Sequence, residues 1–453
     1  MLKRYTLPDM KKLWLDLKTK FEYWLEVEKA YLEARFKAGN LDRGIYQDII
    51  SSGIVINPDR IDELEAEYNH DFIAFVVSVQ EYLVANGWGH CKEEFHRYLT
   101  SFDIEDPALV LMLREAMALI RQSLFELYQA LRQKAVEHQW TLMIARTHGQ
   151  FAEPDTFGHL LLVFSESIKR SINRVDRIMI EELGEAKISG AVGNFAGMDP
   201  RIGDDALAIL GLKQAPAETQ ILQRDRHAAL MSVLAIAAAS IEQIARTFWE
   251  MMRSDVGELR EPRSPRQRGS SAMAHKRNPI LTERLMGMAI EVRGHTGAAF
   301  ENIATPECRD ISQSNVEREG FPTATGLVHY MANKMKWLVQ NLEVFPERMK
   351  QNLGATHGTW ASQKVRNALM GAGISYDDAY IYLQRLSFKV SENNDGDLFR
   401  SLCSESISET KSATALDILG ADALKKCFDP ITYIKEGIEY IFKNSAKPAD
   451  SNS

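Results

Sequence analysis

The chain has 453 residues, 45% apolar and 26% charged, which is ordinary for a globular protein and too long for one simple core. A formal net charge of −8 gives no basic footprint, so nucleic acid is not an expected partner. The 4 cysteines, Cys91, Cys308, Cys403 and Cys427, stand too far apart for a zinc or disulfide framework and fit a reducing, cytoplasmic setting.

In chain order, residues 1–14 mix Lys, Arg, Asp and Pro with apolar residues, unlike the apolar core of a signal peptide. Leu13, Leu17, Phe21, Trp24, Leu25 and Glu28 then recur at the three-and-four spacing of a helix, as do Leu109, Leu113, Met117 and Ile120 after Pro107. Long helices are predicted over about 156–180, 225–252, 280–300 and 323–344, with strand-like alternation scarce. The apolar run Ala228–Ile241 is shorter than the ~20 residues of a membrane span. Being apolar all round, it reads as a helix surrounded by protein. No membrane partner is expected. Breaks at 102–107, 190–216, 260–269 and 354–360 divide the chain into an N-terminal helical domain (1–103), a central long-helix bundle (104–360) and a C-terminal helical domain (361–453). The polar tail 445–453, with Pro448, is expected to be disordered. The fold class is all-α.

Polar clusters interrupt these helices. Asn69-His70-Asp71 precedes an apolar run; Asp71 or a more distant carboxylate orients His70, or Asp71 merely caps the helix. Thr100-Ser101 lies in a loop entering a helix, where hydroxyls are commonly solvated or capping. Arg146-Thr147-His148-Gly149-Gln150 places the side chain best suited to proton exchange near neutral pH among polar neighbours, against the alternative of a histidine at a helix start. Thr219-Gln220 and Gln223-Arg224-Asp225-Arg226-His227 head the apolar helix, where a charge run is also a normal solvated start. Gly269-Ser270-Ser271-Ala272-Met273-Ala274-His275-Lys276-Arg277-Asn278-Pro279 packs two hydroxyls, a lysine and an amide between a glycine and a proline. It reads as a loop feeding a helix N-terminus, where backbone N–H groups favour anions. Glu307–Arg318 carries Arg309, Ser314 and Arg318.

The 269–279 string is similar to the signature loop of the fumarase/aspartase superfamily of lyases, Gly-Ser-Ser-x-Met-Pro-x-Lys-x-Asn-Pro, and departs from it at Ala274. Arg146–Gly149, His70-Asp71, Thr100–Asp103, the 307–318 stretch and Arg4-Tyr5 resemble segments of the adenylosuccinate lyases within that superfamily. Asn69 replaces an arginine usual there, and Cys308 and Asn315 are further departures. The resemblance implies a homotetramer with a shared helical core and active sites shared between subunits. It implies elimination of fumarate from adenylosuccinate and from the succinylated aminoimidazole carboxamide nucleotide, both small-molecule substrates. It also implies roles: Ser270 as base, His148 as acid assisted by His70, and Lys276 and Asn278 stabilising charge. Thr100 and Ser101 would hold a substrate carboxylate, and Thr147, Gln220, Arg224 and Asp71 would contact substrate. Arg309, Ser314 and Arg318 would bind the nucleotide portion, with Arg4 and Tyr5 on its phosphate. No cofactor or metal is expected. Two other readings stay open: a different lyase of the superfamily, such as argininosuccinate lyase or a carboxymuconate cycloisomerase, and a catalytically silent helical scaffold.

Overall fold

The computed structural model describes residues 2–264, 266, 272–392, 396–409 and 411–445. Ser270, Gly269 and Ser271 lie outside the described residues, as does most of the polar tail.

Helix dominates. Five long helices, Phe102–Glu137, Phe157–Glu181, Asp225–Met251, Ile280–Glu301 and Ser312–Asn341, cover the stretches whose periodicity predicts them. Two start earlier than predicted, and each has a proline inside it. Pro107 lies within the first and Pro322 within the last. Each proline removes one backbone hydrogen bond, but surrounding contacts outweigh that loss. Asp103 fixes the first start by accepting the Thr100 amide at 2.9 Å. Around Pro322, Phe321, Ala324 and Thr325 are only 3%, 0% and 0% exposed, so packing holds the helix across the proline. The break predicted at 190–216 contains a further helix, Pro200–Ile209, with the Asp199 side chain capping its start.

The chain divides into two compact units. The first comprises Met1–Glu126, Ile168–Gln243 and Arg284–Met335. Its N-terminal part is built on an aromatic cluster in which Trp24 lies 5.1–5.4 Å from Phe21, Phe72 and Phe75, ring to ring. Its long helices lock by side-chain bonds: Thr296 Oγ1 donates to the Met231 carbonyl at 3.1 Å, and Arg293 pairs with Glu242 at 2.6 Å. Asp225–Met251 is long and apolar enough to cross a membrane. Leu230, Leu234, Ala237, Ala238 and Ile241 are nevertheless fully buried in protein, which marks a core helix.

The second unit comprises Leu127–Ser167, Ile244–Glu283 and Lys336–Ser453. Trp360, Leu369, Tyr382, Leu386, Leu398 and Leu402 form its core, and Ile144 joins them from a hairpin. That hairpin pairs Leu142–Thr147 with Gln150–Thr156 in antiparallel register, with an irregularity between Ile144 and Arg146.

Candidate active site

The sequence-predicted residues fall into two groups, one in each unit. In the second unit Thr147 pairs with Gln150, leaving His148 and Gly149 as a two-residue turn. Both have left-handed backbone, φ 55° and 75°. A tight hairpin turn with positive φ at both central residues matches the twist of the flanking strands. Glycine takes that conformation freely, and histidine is among the side chains that tolerate it better than most. His148 is therefore not at a helix start; it is the exposed tip of a hairpin.

Buried polar contacts hold the hairpin behind that tip. Arg146 reaches both carboxylate oxygens of Glu258, at 3.3 and 3.5 Å, and the fully buried Glu258 also accepts from Asn352 Nδ2 at 2.7 Å. On the other strand Glu153 accepts the Tyr433 hydroxyl at 2.7 Å.

Lys276 and Asn278 lie in an exposed to half-buried turn ahead of the helix starting at Ile280. They border a cavity of about 780 Å³ with Arg253, Arg260, Glu261 and Glu283. The expected anion site on the helix N-terminus is already taken. Glu261 accepts the Leu281 amide at 3.1 Å and the Thr282 amide at 2.7 Å. A carboxylate at helix-terminal N–H groups is favourable, so the protein's own anion fills the position that the loop's composition offered to a ligand. Burial pushes the Glu261 carboxyl up, against those amide bonds.

The first unit holds the other group on a buried charge network. Asp103 and Lys187 are an ion pair at 2.6 Å with both side chains fully buried. The same Asp103 oxygen accepts the amides of Ser189 and Gly190 at 2.9 and 3.1 Å, and Lys187 also donates to the Gln220 carbonyl at 2.9 Å. One pair thus ties together the Thr-Ser loop, the 187–190 segment and Gln220. The hydroxyls of Thr100 and Ser101 have no protein partner among the described residues.

Asp106, one turn on, receives both terminal nitrogens of Arg224 at 3.0 and 3.1 Å. Glu317 closes on the same guanidinium at 2.8 Å and accepts from His227 Nδ1 at 2.9 Å. Burial raises the Glu317 carboxyl, but Arg224 and His227 more than offset it and hold it below the usual range. Arg309 donates to the Gln220 side chain at 3.1 Å and stacks on Phe102 at 4.0 Å.

His70 is the N-cap of its helix, without a side-chain cap bond, and Asp71 is the first helical residue. Asp71 accepts its own Phe72 amide at 2.8 Å. Its second oxygen holds Lys20 at 3.0 Å and Arg318 at 2.9 Å. Burial pushes this carboxyl up, yet Lys20 and Arg318 outweigh burial and depress it. His70 Nδ1 stands 3.9 Å from Asp71, with about half its side chain exposed. Asn69 ends the preceding helix in left-handed backbone, φ 51°, a conformation asparagine accepts more readily than arginine.

A cavity of about 180 Å³ is bordered by Lys20, Phe102, Glu105, Arg224, Ser314 and Arg318. Glu105 is pushed up to about 7 by burial, with Asp71 adding to the shift and Lys20 opposing it. Arg4 and Tyr5 form a short turn at the N-terminus, where the Tyr5 ring meets Tyr330 edge-on at 5.7 Å.

A family profile described as a lyase matches residues 17–294. The chain is 42% identical over 430 residues to the adenylosuccinate lyase of Synechocystis, covering 95% of this chain and 96% of that one. It is 38% identical over 447 residues to the adenylosuccinate lyase of Thermotoga maritima, covering 99% and 100%. The chain belongs to the adenylosuccinate lyase family, in the fumarase/aspartase superfamily. The fold agrees: a fumarate lyase structure from Mesorhizobium superposes with a TM-score of 0.86 at 22% identity, covering 98% and 99% of the two chains.

The sequence reading gave no role to Lys187, Lys20, Asp106, Glu258 or Glu261. Only Asp106 carried a local signal, since Asp103 and Asp106 share one helix face at a spacing of three. The others act across long separations and look like ordinary charges in the string.

Proposed function

We propose that this lyase eliminates fumarate from adenylosuccinate, giving AMP, and acts likewise on the succinylated aminoimidazole carboxamide nucleotide. The observation that carries this is near-full-length kinship to relatives of that name. In this reading Ser270 removes the proton from the carbon beside a substrate carboxylate, and His148 protonates the departing nitrogen as the C–N bond breaks. Two groups on opposite faces give anti elimination. The electron pair left by the proton forms the new double bond, so no oxidant, reductant or cofactor enters the balance.

The carbon acid is weak, so charge developing on the carboxylate must be met by fixed donors. Lys276 and Asn278 supply them; the helix-terminal amides bonded to Glu261 do not. Thr100, Ser101 and Thr147 hold a carboxylate, which fits the unpartnered hydroxyls of the first two. His70 assists His148. Gln220, Arg309, Ser314 and Arg318 bind the nucleotide portion with Asp71, and Arg4 and Tyr5 its phosphate. Arg224, enclosed by Asp106 and Glu317, works by holding those groups at the cavity wall. We further propose a cytoplasmic homotetramer with sites assembled from several subunits.

The test is fumarate release from adenylosuccinate by purified protein, with Ser270→Ala beside it. Serine-dependent release is expected. No release from the unmodified enzyme, or equal release from both, overturns the assignment or the role of Ser270 respectively.

A further inference from the structure

We propose that His329 is a positioning residue: it clasps the N-terminal segment carrying Arg4 and Tyr5 in the place where those residues meet the substrate phosphate. This rests on the adenylosuccinate reading.

The Lys3–Tyr5 turn has no buried residue and no side-chain cap, so it does not hold itself. The helix after it, Pro8–Leu15, buries only Met10 and Leu13. In the first turn of that helix stands Asp9, whose Oδ1 accepts the Met10 amide at 2.8 Å and whose Oδ2 faces His329 Nε2 at 3.0 Å.

His329 is well placed to anchor. Its side chain is 6% exposed, and its other ring nitrogen lies 3.2 Å from the hydroxyl of Ser123, itself 2% exposed. A carboxylate only accepts hydrogen bonds, so Nε2 carries the proton toward Asp9. Ser123 Oγ lies 2.9 Å from the Ile120 carbonyl, which fixes the hydroxyl against its own helix. The Asp9–His329–Ser123 chain thus links the N-terminal helix to Ser312–Asn341 and Phe102–Glu137. Ser123 is buried in mid-helix, so this is a tether and not a nucleophile.

The next residue, Tyr330, completes the grip through its edge-on contact with Tyr5. Burial pushes the Tyr330 phenol up, while Arg284 and Arg4 pull it down and Tyr5 adds to the rise, so two guanidinium groups act at one phenol. Tyr5, Thr6, Arg284 and Thr323 border a cavity of about 560 Å³. Two consecutive residues of one helix therefore fix both the helix behind Arg4-Tyr5 and the ring of Tyr5. With the clasp gone, ordering the segment becomes a cost of binding the phosphate. Binding weakens while the chemical step is unchanged.

The experiment measures KM and kcat for His329→Leu, His329→Gln and Asp9→Asn on adenylosuccinate and on its 5′-dephosphorylated nucleoside, alone and with Arg4→Ala. His329→Leu is expected to raise KM for the nucleotide by about tenfold, the scale of one charge-assisted hydrogen bond. The kcat should stay within about twofold, and kcat/KM on the nucleoside should not move. His329→Gln, which keeps a donor, should recover most of the loss, and His329→Leu should add nothing to Arg4→Ala. Equal losses on nucleotide and nucleoside, a fall in kcat alone, or additive losses with Arg4→Ala would overturn the proposal. Asp9→Asn leaves the buried residues untouched and stands in if His329→Leu fails to fold. Amide exchange over residues 3–13, which needs no substrate, should quicken in the variants. Unchanged exchange overturns the clasp, whereas an unmodified enzyme that releases no fumarate overturns the functional reading instead.

Discussion

The two groups of site residues are built in opposite ways. In the first unit, charge is buried and already paired: Asp103 with Lys187, and Asp106 and Glu317 with Arg224, all at most 10% exposed by side chain. In the second, His148 stands exposed at a hairpin tip, and the half-buried Arg146 pairs behind it with the buried Glu258. A group that only holds substrate works best when its shape does not change, and a buried ion network gives rigidity at the cost of desolvation. A group that exchanges protons must stay open to the reacting atom. The contrast predicts that substitutions in the second unit cost rate, and those in the first cost stability.

The largest effect belongs to the exposed tip. His148→Ala is expected to lower kcat by a factor on the order of 10² to 10⁴, the usual contribution of a positioned acid or base. The side chain makes no buried contact, so thermal unfolding should coincide with that of the unmodified chain. A large fall in melting temperature would show that the tip is structural.

Lys187→Met should do the reverse. It strands a fully buried Asp103 carboxylate, and removing one partner of such a pair costs roughly 3–5 kcal/mol. Replacing both charges, Asp103→Leu with Lys187→Met, should not restore stability. Asp103 also accepts the amides of Thr100, Ser189 and Gly190, which would be left without a partner. Recovery of the melting temperature in the double variant would refute that account.

Glu258→Gln sits between the two cases, buried yet one step from the tip. Its loss weakens the bonds to Arg146 and Asn352 by about 1–3 kcal/mol. The hairpin should then hold His148 less well, so kcat should fall while KM stays nearly constant. A change in KM alone would separate this pair from the acid.

How much of this was legible in the string follows from range. The long helices were readable because a three-and-four repeat is local. Asp9 and His329, 320 residues apart, or Arg146 and Glu258, 112 apart, leave no such trace. The motif residues were found by family resemblance. The shape around His148 was missed because His-Gly is a weaker turn signal than Asn-Gly, and the flanking residues do not alternate cleanly. The helix across Pro107 and Pro322 is hidden for a related reason: a proline's local cost is visible in sequence, and the packing that outweighs it is not.

A further test asks whether the first unit's charge is fully satisfied. Glu105 borders the 180 Å³ cavity with its carboxyl pushed up to about 7, chiefly by burial. An unfolded glutamate titrates near 4.3, to within about a unit. A carboxyl whose folded value is the higher binds its proton more tightly in the native state. Its favourable contribution is complete below about pH 4.3 and is withdrawn as the pH rises toward 7. Glu105→Gln keeps the shape and removes the ionisation. The variant should therefore melt higher than the unmodified chain at pH 8, with the difference shrinking toward pH 4.5. Asp71 has the opposite sign, because Lys20 and Arg318 depress its carboxyl, so the stability it contributes is lost as the pH falls. At pH 8 Glu105→Gln should melt above the unmodified chain and Asp71→Asn below it; the first difference shrinks toward pH 4.5, the second only as the pH falls below the ordinary aspartate range. A Glu105→Gln difference that does not change with pH would mean that this carboxylate finds a counter-charge in the native protein, and the first unit would then hold no unpaired acid at its cavity.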